Sequence, residues 1–236
     1  MMFLNCQKPG LIKDPYIYKP DSIMLDLEDA VAENQKDAAR YSLYHALQEI
    51  DYRGVERVVR INGLDTPHWK EDIRVCVAGG ADTIRIAKTE TAQDVKTVEE
   101  HVLAAEKEFG RPEGSTLLMA ALESCKGVLN ALEVCQSSDR LIGIALSGGD
   151  YTKDLQTTIT GTGVELMGAG IFILVFKGDP YRIHRRRSQC RKNHPYRHHD
   201  QNSCCRKPFS KSFLSHKVLL SCIFSLLENI PTIFTA

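Results

Sequence analysis

Short apolar runs recur along the chain, each followed by a polar stretch with helical spacing. The clearest run is Ile23-Met24-Leu25-Asp26-Leu27. It shows no polar alternation, as expected of a strand covered on both faces of a parallel sheet. Residues 34–49 follow with Ala38, Ala39, Leu43, Ala46 and Leu47 at helical spacing. Arg57 to Ile61 is a β-branched strand ended by Asn62-Gly63. Pro67 opens a helix that reaches Val77, and Gly79-Gly80 stops it. Asp82 to Ala87 is a strand ending at Lys88. Residues 91–109 form an amphipathic helix, with Thr91 as its cap and Gly110 beyond its end. Thr116 to Leu122 is a strand ending at Glu123, and Lys126 to Gln136 a helix. Arg140 to Leu146 is a strand ending in Ser147-Gly148-Gly149-Asp150. Met1 to Leu4 can supply the end of a first strand.

Repeated strand–helix alternation predicts a parallel sheet with right-handed crossovers. A unit of roughly 30 residues suits a (β/α)₈ barrel. Counting the N-terminal segment, six strands are visible and eight are needed. The expected fold is therefore α/β, TIM-barrel-like and incomplete, spanning residues 1–169. The alternation stops there. Ile171 to Phe176 reads as an apolar strand. Residues 181–217 are rich in Arg, Lys, His, Ser and Cys without periodicity, a composition of disorder. From Val218 the chain turns apolar again. Residues 170–236 thus read as a separate, aberrant basic segment.

Composition bounds the class. A chain of 236 residues with 43% hydrophobic and 25% charged content can bury one sizeable core and resembles a soluble globular protein. No apolar run approaches membrane-spanning length, and no long apolar region follows Met1 as in a secretion signal. A cytoplasmic protein with reduced thiols at its eight cysteines is expected, with no membrane contact. The formal net charge of zero hides a division. Residues 170–236 carry twelve basic and three acidic residues, against eighteen and twenty-seven in residues 1–169.

The candidate chemistry lies at the ends of the predicted strands: Asp26, Glu28 and Asp29, then Arg60, Lys88, Glu123 and Asp150. Taken singly, each reads as a capping or surface residue. In a barrel, however, all strand C-termini converge on one mouth, where active sites are built. Glu123 and Asp150 could hold a hard divalent cation, with Mg²⁺ expected. Arg60 could stabilise a developing oxyanion.

Five segments in series carry a resemblance over residues 9–169. Residues 20–31, with Lys36-Asp37-Ala38-Ala39-Arg40 after them, are similar to the second-strand motif of the citrate lyase β subunit family, within the HpcH/HpaI aldolase group. Arg60-Ile61-Asn62-Gly63-Leu64-Asp65-Thr66, Ile84-Arg85-Ile86-Ala87-Lys88-Thr89-Glu90, Ala121-Leu122-Glu123-Ser124 and residues 143–151 resemble the segments that follow it. The resemblance implies a carbon–carbon lyase. It would cleave a citryl thioester, on an acyl carrier protein or on coenzyme A, into oxaloacetate and an acetyl thioester. Related lyases act on malyl or citramalyl thioesters. By motif, Glu123 and Asp150 would bind Mg²⁺, while Arg60, Glu123 and Gly149 would contact substrate. Arg60 would also stabilise the enolate, and Asp26, Glu28 and Asp29 would organise Arg60 and metal-bound water. The implied partners are an α subunit, an acyl carrier protein subunit and further copies of the chain.

This sequence departs from that pattern in several places. Leu4-Asn5-Cys6 replaces a Val-Pro-Gly-like turn after an Arg-containing strand. Ala87 stands where the family has Pro, and Gly149 where it usually has Glu. Residues 170–236 match neither the family's last two strands nor the acidic residue it lends to a neighbouring subunit. Such a basic, aperiodic sequence resembles out-of-frame translation, which would make the chain a truncated, inactive product. Cys190, His194, His198, His199, Cys204 and Cys205 fit no closed zinc pattern. Arg185-Arg186-Arg187 with Arg191-Lys192 lacks a nucleic-acid recognition fold around it, so nucleic acid is not an expected partner.

Overall fold

A computed structural model describes residues 1–176 of the chain. Six parallel strands lie in sequence order: β1 (Met2–Asn5), β2 (Ser22–Asp26), β3 (Glu56–Ile61), β4 (Thr83–Ile86), β5 (Leu117–Leu122) and β6 (Leu141–Leu146). Among the described residues β1 and β6 do not pair, so the expected barrel is an open sheet of six strands here. Eight helices accompany the strands: α1 (Pro9–Ile12), α2 (Lys36–Glu49), α3 (Trp69–Gly79), α4 (Ala92–Glu108), α5 (Cys125–Leu129), α6 (Ala131–Gln136), α7 (Gly148–Asp154) and α8 (Val164–Phe176).

Each strand sorts its side chains between two environments. Ile23, Leu25, Val59, Ile61, Ile84, Ile86, Leu118 and Leu122 join the core beneath the helices. Those helices return Leu43 and Leu47 from α2, Ile73 and Val77 from α3, and Val95, Val98 and Val102 from α4. Met24, Val58 and Ala121 are equally buried but lie on the other face. That face is concave: the Arg85 guanidinium on β4 lies 5.8 Å from the ring of Phe3 on β1, although two strands separate them.

The local signals act where the sequence places them. Thr91 caps α4 in a reciprocal box, its hydroxyl accepting from the Asp94 amide while Asp94 accepts from the Thr91 amide at 2.8 Å. Gly80 ends α3 at φ +82°, a left-handed conformation natural to glycine, and its amide donates to the Cys76 and Val77 carbonyls.

Two elements differ from expectation. The single helix expected over 126–136 is two, α5 and α6, broken at Asn130. The Asn130 side-chain amide donates to the Glu90 carbonyl at 3.0 Å, and its backbone sits at φ −89°, ψ 8°. The strand expected at Ile171 to Phe176 is the second half of α8, which places Ala169 and Ile173 against the core four residues apart. A short apolar run does not distinguish the two by periodicity. The expected boundary after residue 169 falls inside this helix. The readings made for 181–217, for Val218 onward, and for the Cys/His and Arg clusters lie outside the described residues. Among the described residues no helix is long and apolar enough to cross a membrane.

Candidate functional site

Strand register brings the first expected residues together. Asp26 ends β2 directly beside Arg60 on β3, and Arg60 lies directly beside Arg85 on β4. All three project from the concave face. Arg60 binds Asp26 with two parallel bonds, Nε to Oδ1 at 2.8 Å and Nη2 to Oδ2 at 2.6 Å. Its remaining nitrogen, Nη1, lies 2.9 Å from Glu28 and 4.0 Å from Asp29. Burial alone would favour a neutral Arg60, but the Asp26 bonds and the acidic neighbours outweigh it and keep the guanidinium charged.

Asp26 also fixes the turn after β2, accepting from the amides of Glu28 at 2.9 Å and Ala30 at 3.3 Å. It is thus occupied in holding Arg60 and its own loop. Asp29 is exposed at the rim. Glu28 is buried, and neither of its carboxylate oxygens has a hydrogen-bond partner. Its pKa is pushed up to about 7, chiefly by burial; Arg60 opposes the rise, and Asp29 and Glu123 add to it. Lys88, at φ +50° just past β4, approaches Glu28 at 3.6 Å.

Glu123 leaves β5 on the same face. It is 4% exposed, and both carboxylate oxygens lack hydrogen-bond partners. Burial and the charge of Asp150 raise its pKa; the Lys88 amide pulls the other way without reaching hydrogen-bond geometry. Asp150 sits in the first turn of α7, paired with Lys153 at 2.7 Å. Gly149, in the same turn, faces open space: a Cβ there meets nothing within 4 Å.

Two buried carboxylate oxygens of Glu123 without protein partners, near enough to Asp150 to feel its charge, suit a hard cation. Among the described residues no three His, Cys, Asp or Glu side chains gather into a metal cage. Magnesium binds well through one or two carboxylates, keeping water or substrate oxygens elsewhere. The donor set of Glu123 and Asp150 fits it.

A polar network that composition alone does not reveal stands behind the mouth. The buried Lys36 ammonium donates to the carbonyls of Leu27 at 2.9 Å and Glu28 at 2.8 Å, and to Asn62 Oδ1 at 2.6 Å. Asn62 donates to Asp72 Oδ2 at 2.6 Å, and Asp72 accepts from Arg40 at 2.8 Å. These bonds tie α2, α3 and β3 to the loop carrying Glu28. The motif Lys36-Asp37-Ala38-Ala39-Arg40 was the signal for two of its members. Arg85 carried a signal too, as the lone charge inside an apolar strand.

The chain is similar to several known proteins. The chain is 53% identical to citrate lyase subunit beta of Leuconostoc mesenteroides subsp. cremoris over 174 residues, covering 74% of this chain and 58% of that protein. It is 45% identical to citrate lyase subunit beta of Escherichia coli K12 over the same coverage. It is 36% identical to an L-malyl-CoA/beta-methylmalyl-CoA lyase of Rhodobacter capsulatus, covering 67% of this chain and 52% of that one. The chain therefore spans little more than half the length of these relatives. Among solved structures, the Mycobacterium tuberculosis protein CitE in complex with magnesium and pyruvate superposes with a TM-score of 0.57 at 26% identity, over 74% of this chain and 66% of that one. The fold is shared with the citrate lyase beta subunit complexed with oxaloacetate and magnesium from the same organism, at TM-score 0.57 and 24% identity, over 74% and 71%. A family model described as HpcH/HpaI aldolase/citrate lyase matches residues 1–177, eight positions beyond the boundary expected from the sequence. By that match and by these identities, the chain belongs to the HpcH/HpaI aldolase/citrate lyase family.

Proposed function

We propose that the chain is a carbon–carbon lyase acting on a citryl thioester, releasing oxaloacetate and an acetyl thioester. One observation carries the reading. A buried arginine, clamped by Asp26, turns its remaining nitrogen to Glu28 at 2.9 Å, in a mouth where Glu28 and Glu123 hold four buried carboxylate oxygens without hydrogen bonds. Buried polar atoms are rarely left so, and such cost is stored at functional sites.

The reaction removes the proton of the tertiary hydroxyl, breaks the adjacent carbon–carbon bond, and leaves the electron pair on the thioester as an enolate. Glu28 Oε1, with a pKa of about 7, is suited to take that proton. Arg60 Nη1 is suited to hold the enolate oxygen. Return of a proton to the enolate carbon completes the acetyl thioester. Glu123 and Asp150 would hold magnesium, which would orient and polarise the hydroxy-acid end of the substrate when bound. Gly149 leaves room beside Asp150 for that end. Lys36 and Asn62 keep the Glu28 loop in register.

By kinship with subunits named citrate lyase beta, the partners proposed are an α subunit, an acyl carrier protein subunit and further copies of this chain, in the cytoplasm. The basic segment, expected from residue 170, is proposed to leave the family pattern only where the family match ends, after residue 177, through a shift of reading frame; translating the coding DNA in all three frames past codon 177 tests this. For the function, citryl-CoA and malyl-CoA are offered to the full chain with Mg²⁺. Oxaloacetate from citryl-CoA, with no glyoxylate from malyl-CoA, is expected. Glyoxylate release alone would transfer the assignment to the malyl thioester lyases, to which the chain is also related.

A further inference from the structure

Arg85 takes no part in the chemistry above, yet it is placed among the residues that do. Its side chain sits on the concave face, directly beside Arg60 in the sheet. It is 6% exposed. Among the described residues the other buried bases are paired: Lys36 with two carbonyls and Asn62, Arg60 with Asp26 and Glu28. Among the described residues Arg85 has no hydrogen bond or ion pair partner, and its buried Nε is unpartnered. The Phe3 ring lies 5.8 Å from its guanidinium carbon. The charges of Asp26, Glu28 and Glu123 are felt at Arg85, but none of these acids reaches it.

A buried, unpartnered guanidinium is costly and is retained where something completes it. Its planar fork matches a carboxylate. Lys88 at the mouth is half exposed and already near Glu28, and the other buried cation of the face, Arg60, has two nitrogens committed to Asp26 and the third 2.9 Å from Glu28. A ligand with one carboxylate can be held at Glu123 and Asp150 through a bound cation. A second carboxylate entering a mouth already lined by acids needs positive charge of its own, and Arg85 is the buried charge left to supply it. A citryl thioester carries two free carboxylates and its keto-acid product, oxaloacetate, likewise two; pyruvate carries one.

We propose that Arg85 binds the second carboxylate of a dicarboxylate keto acid or its thioester precursor, and so selects dicarboxylate over monocarboxylate ligands. The inference rests on the lyase reading of this mouth.

The test measures binding of oxaloacetate and of pyruvate to the full chain in saturating Mg²⁺ by calorimetry, for wild type, R85K and R85M. Melting temperatures without ligand are taken in parallel. The expected result is that R85M loses oxaloacetate affinity by on the order of 100-fold while pyruvate changes by less than about threefold. R85K should recover part of the loss, because it restores charge without the fork. R85M should melt no lower than wild type, since it removes an unpaired buried charge. Equal losses for both ligands, no loss for either, or an R85M protein that melts far lower or does not fold would overturn the inference. Each of those would leave Arg85 a counter-charge for the acids around it, with the lyase reading intact. A wild type that binds neither keto acid would overturn both.

Discussion

The two ends of the sheet bury charge in opposite ways. At the N-terminal end, Glu106 is wholly buried and wholly satisfied. It accepts from Arg140 twice, at 2.8 and 2.9 Å, and from the amides of Gly114 and Thr116 at 3.0 Å each. Nearby, Arg57 reaches Asp82 through its side chain at 3.1 and 3.2 Å. At the C-terminal end, Glu28, Glu123 and Arg85 are buried to a similar depth with unpartnered atoms. Strand direction alone does not make this difference. In strand–helix repeats one end serves stability and the other chemistry, and here the completeness of hydrogen bonding separates the two ends in the way the proposed lyase function requires.

Substitutions can break that contrast. The largest effect should come from Arg60→Met, which strips Asp26 and Glu28 of their partner. Lyase activity should fall by at least about 1,000-fold and stability by about 3–5 kcal/mol. Retention of activity would remove Arg60 from the mechanism. Next, Glu106→Ala should cost about 3–5 kcal/mol in urea unfolding while leaving KM for the thioester unchanged, because it leaves Arg140 with Glu99 at 3.6 Å as its acid partner and takes the Glu106 acceptor from the Gly114 and Thr116 amides. Glu123→Gln, the matching change at the other end, should be neutral or stabilising by up to about 2 kcal/mol while abolishing magnesium-dependent turnover. Equal destabilisation by the two would erase the distinction between the ends.

Glu28 sharpens the comparison through pH. Its folded pKa of about 7 lies above the ordinary carboxylate value, so the folded state holds the extra proton. That contribution is complete below about pH 4.5 and is lost as pH rises through 7. Between pH 5 and 8 the stability of wild type should fall relative to Glu28→Gln, by on the order of 1–3 kcal/mol. Parallel melting curves for the two would refute it. The smallest effect is a control in the α4 cap, five positions beyond β4: Thr91→Ala should cost about 1 kcal/mol by removing the cap, with turnover unchanged.

The fold was legible because each strand is an apolar run bounded by glycine, proline or a cap, and each helix shows its buried stripe. Asp26, Glu28, Arg60 and Glu123 were legible as charges placed where those runs end, and strand register brings Asp26 and Arg60 into contact. What escaped needed contacts between distant segments. Asp72 looks like an ordinary first-turn acid of α3 until Asn62 and Arg40 converge on it. Asn130 breaks a helix by bonding a carbonyl forty positions away. The α8 turns at Ile171 to Phe176 lie in a uniformly apolar run that favours neither period.

The proposed lyase chemistry depends on a divalent-cation site at the strand-end acids. Binding of Mn²⁺ as a magnesium surrogate to the full chain, followed by electron paramagnetic resonance, tests it most directly alongside Glu123→Gln and Asp150→Asn. One bound ion per chain, weakened at least about tenfold in each variant, is the predicted result. Wild type that binds no ion, or variants that bind it as tightly as wild type, would contradict the account.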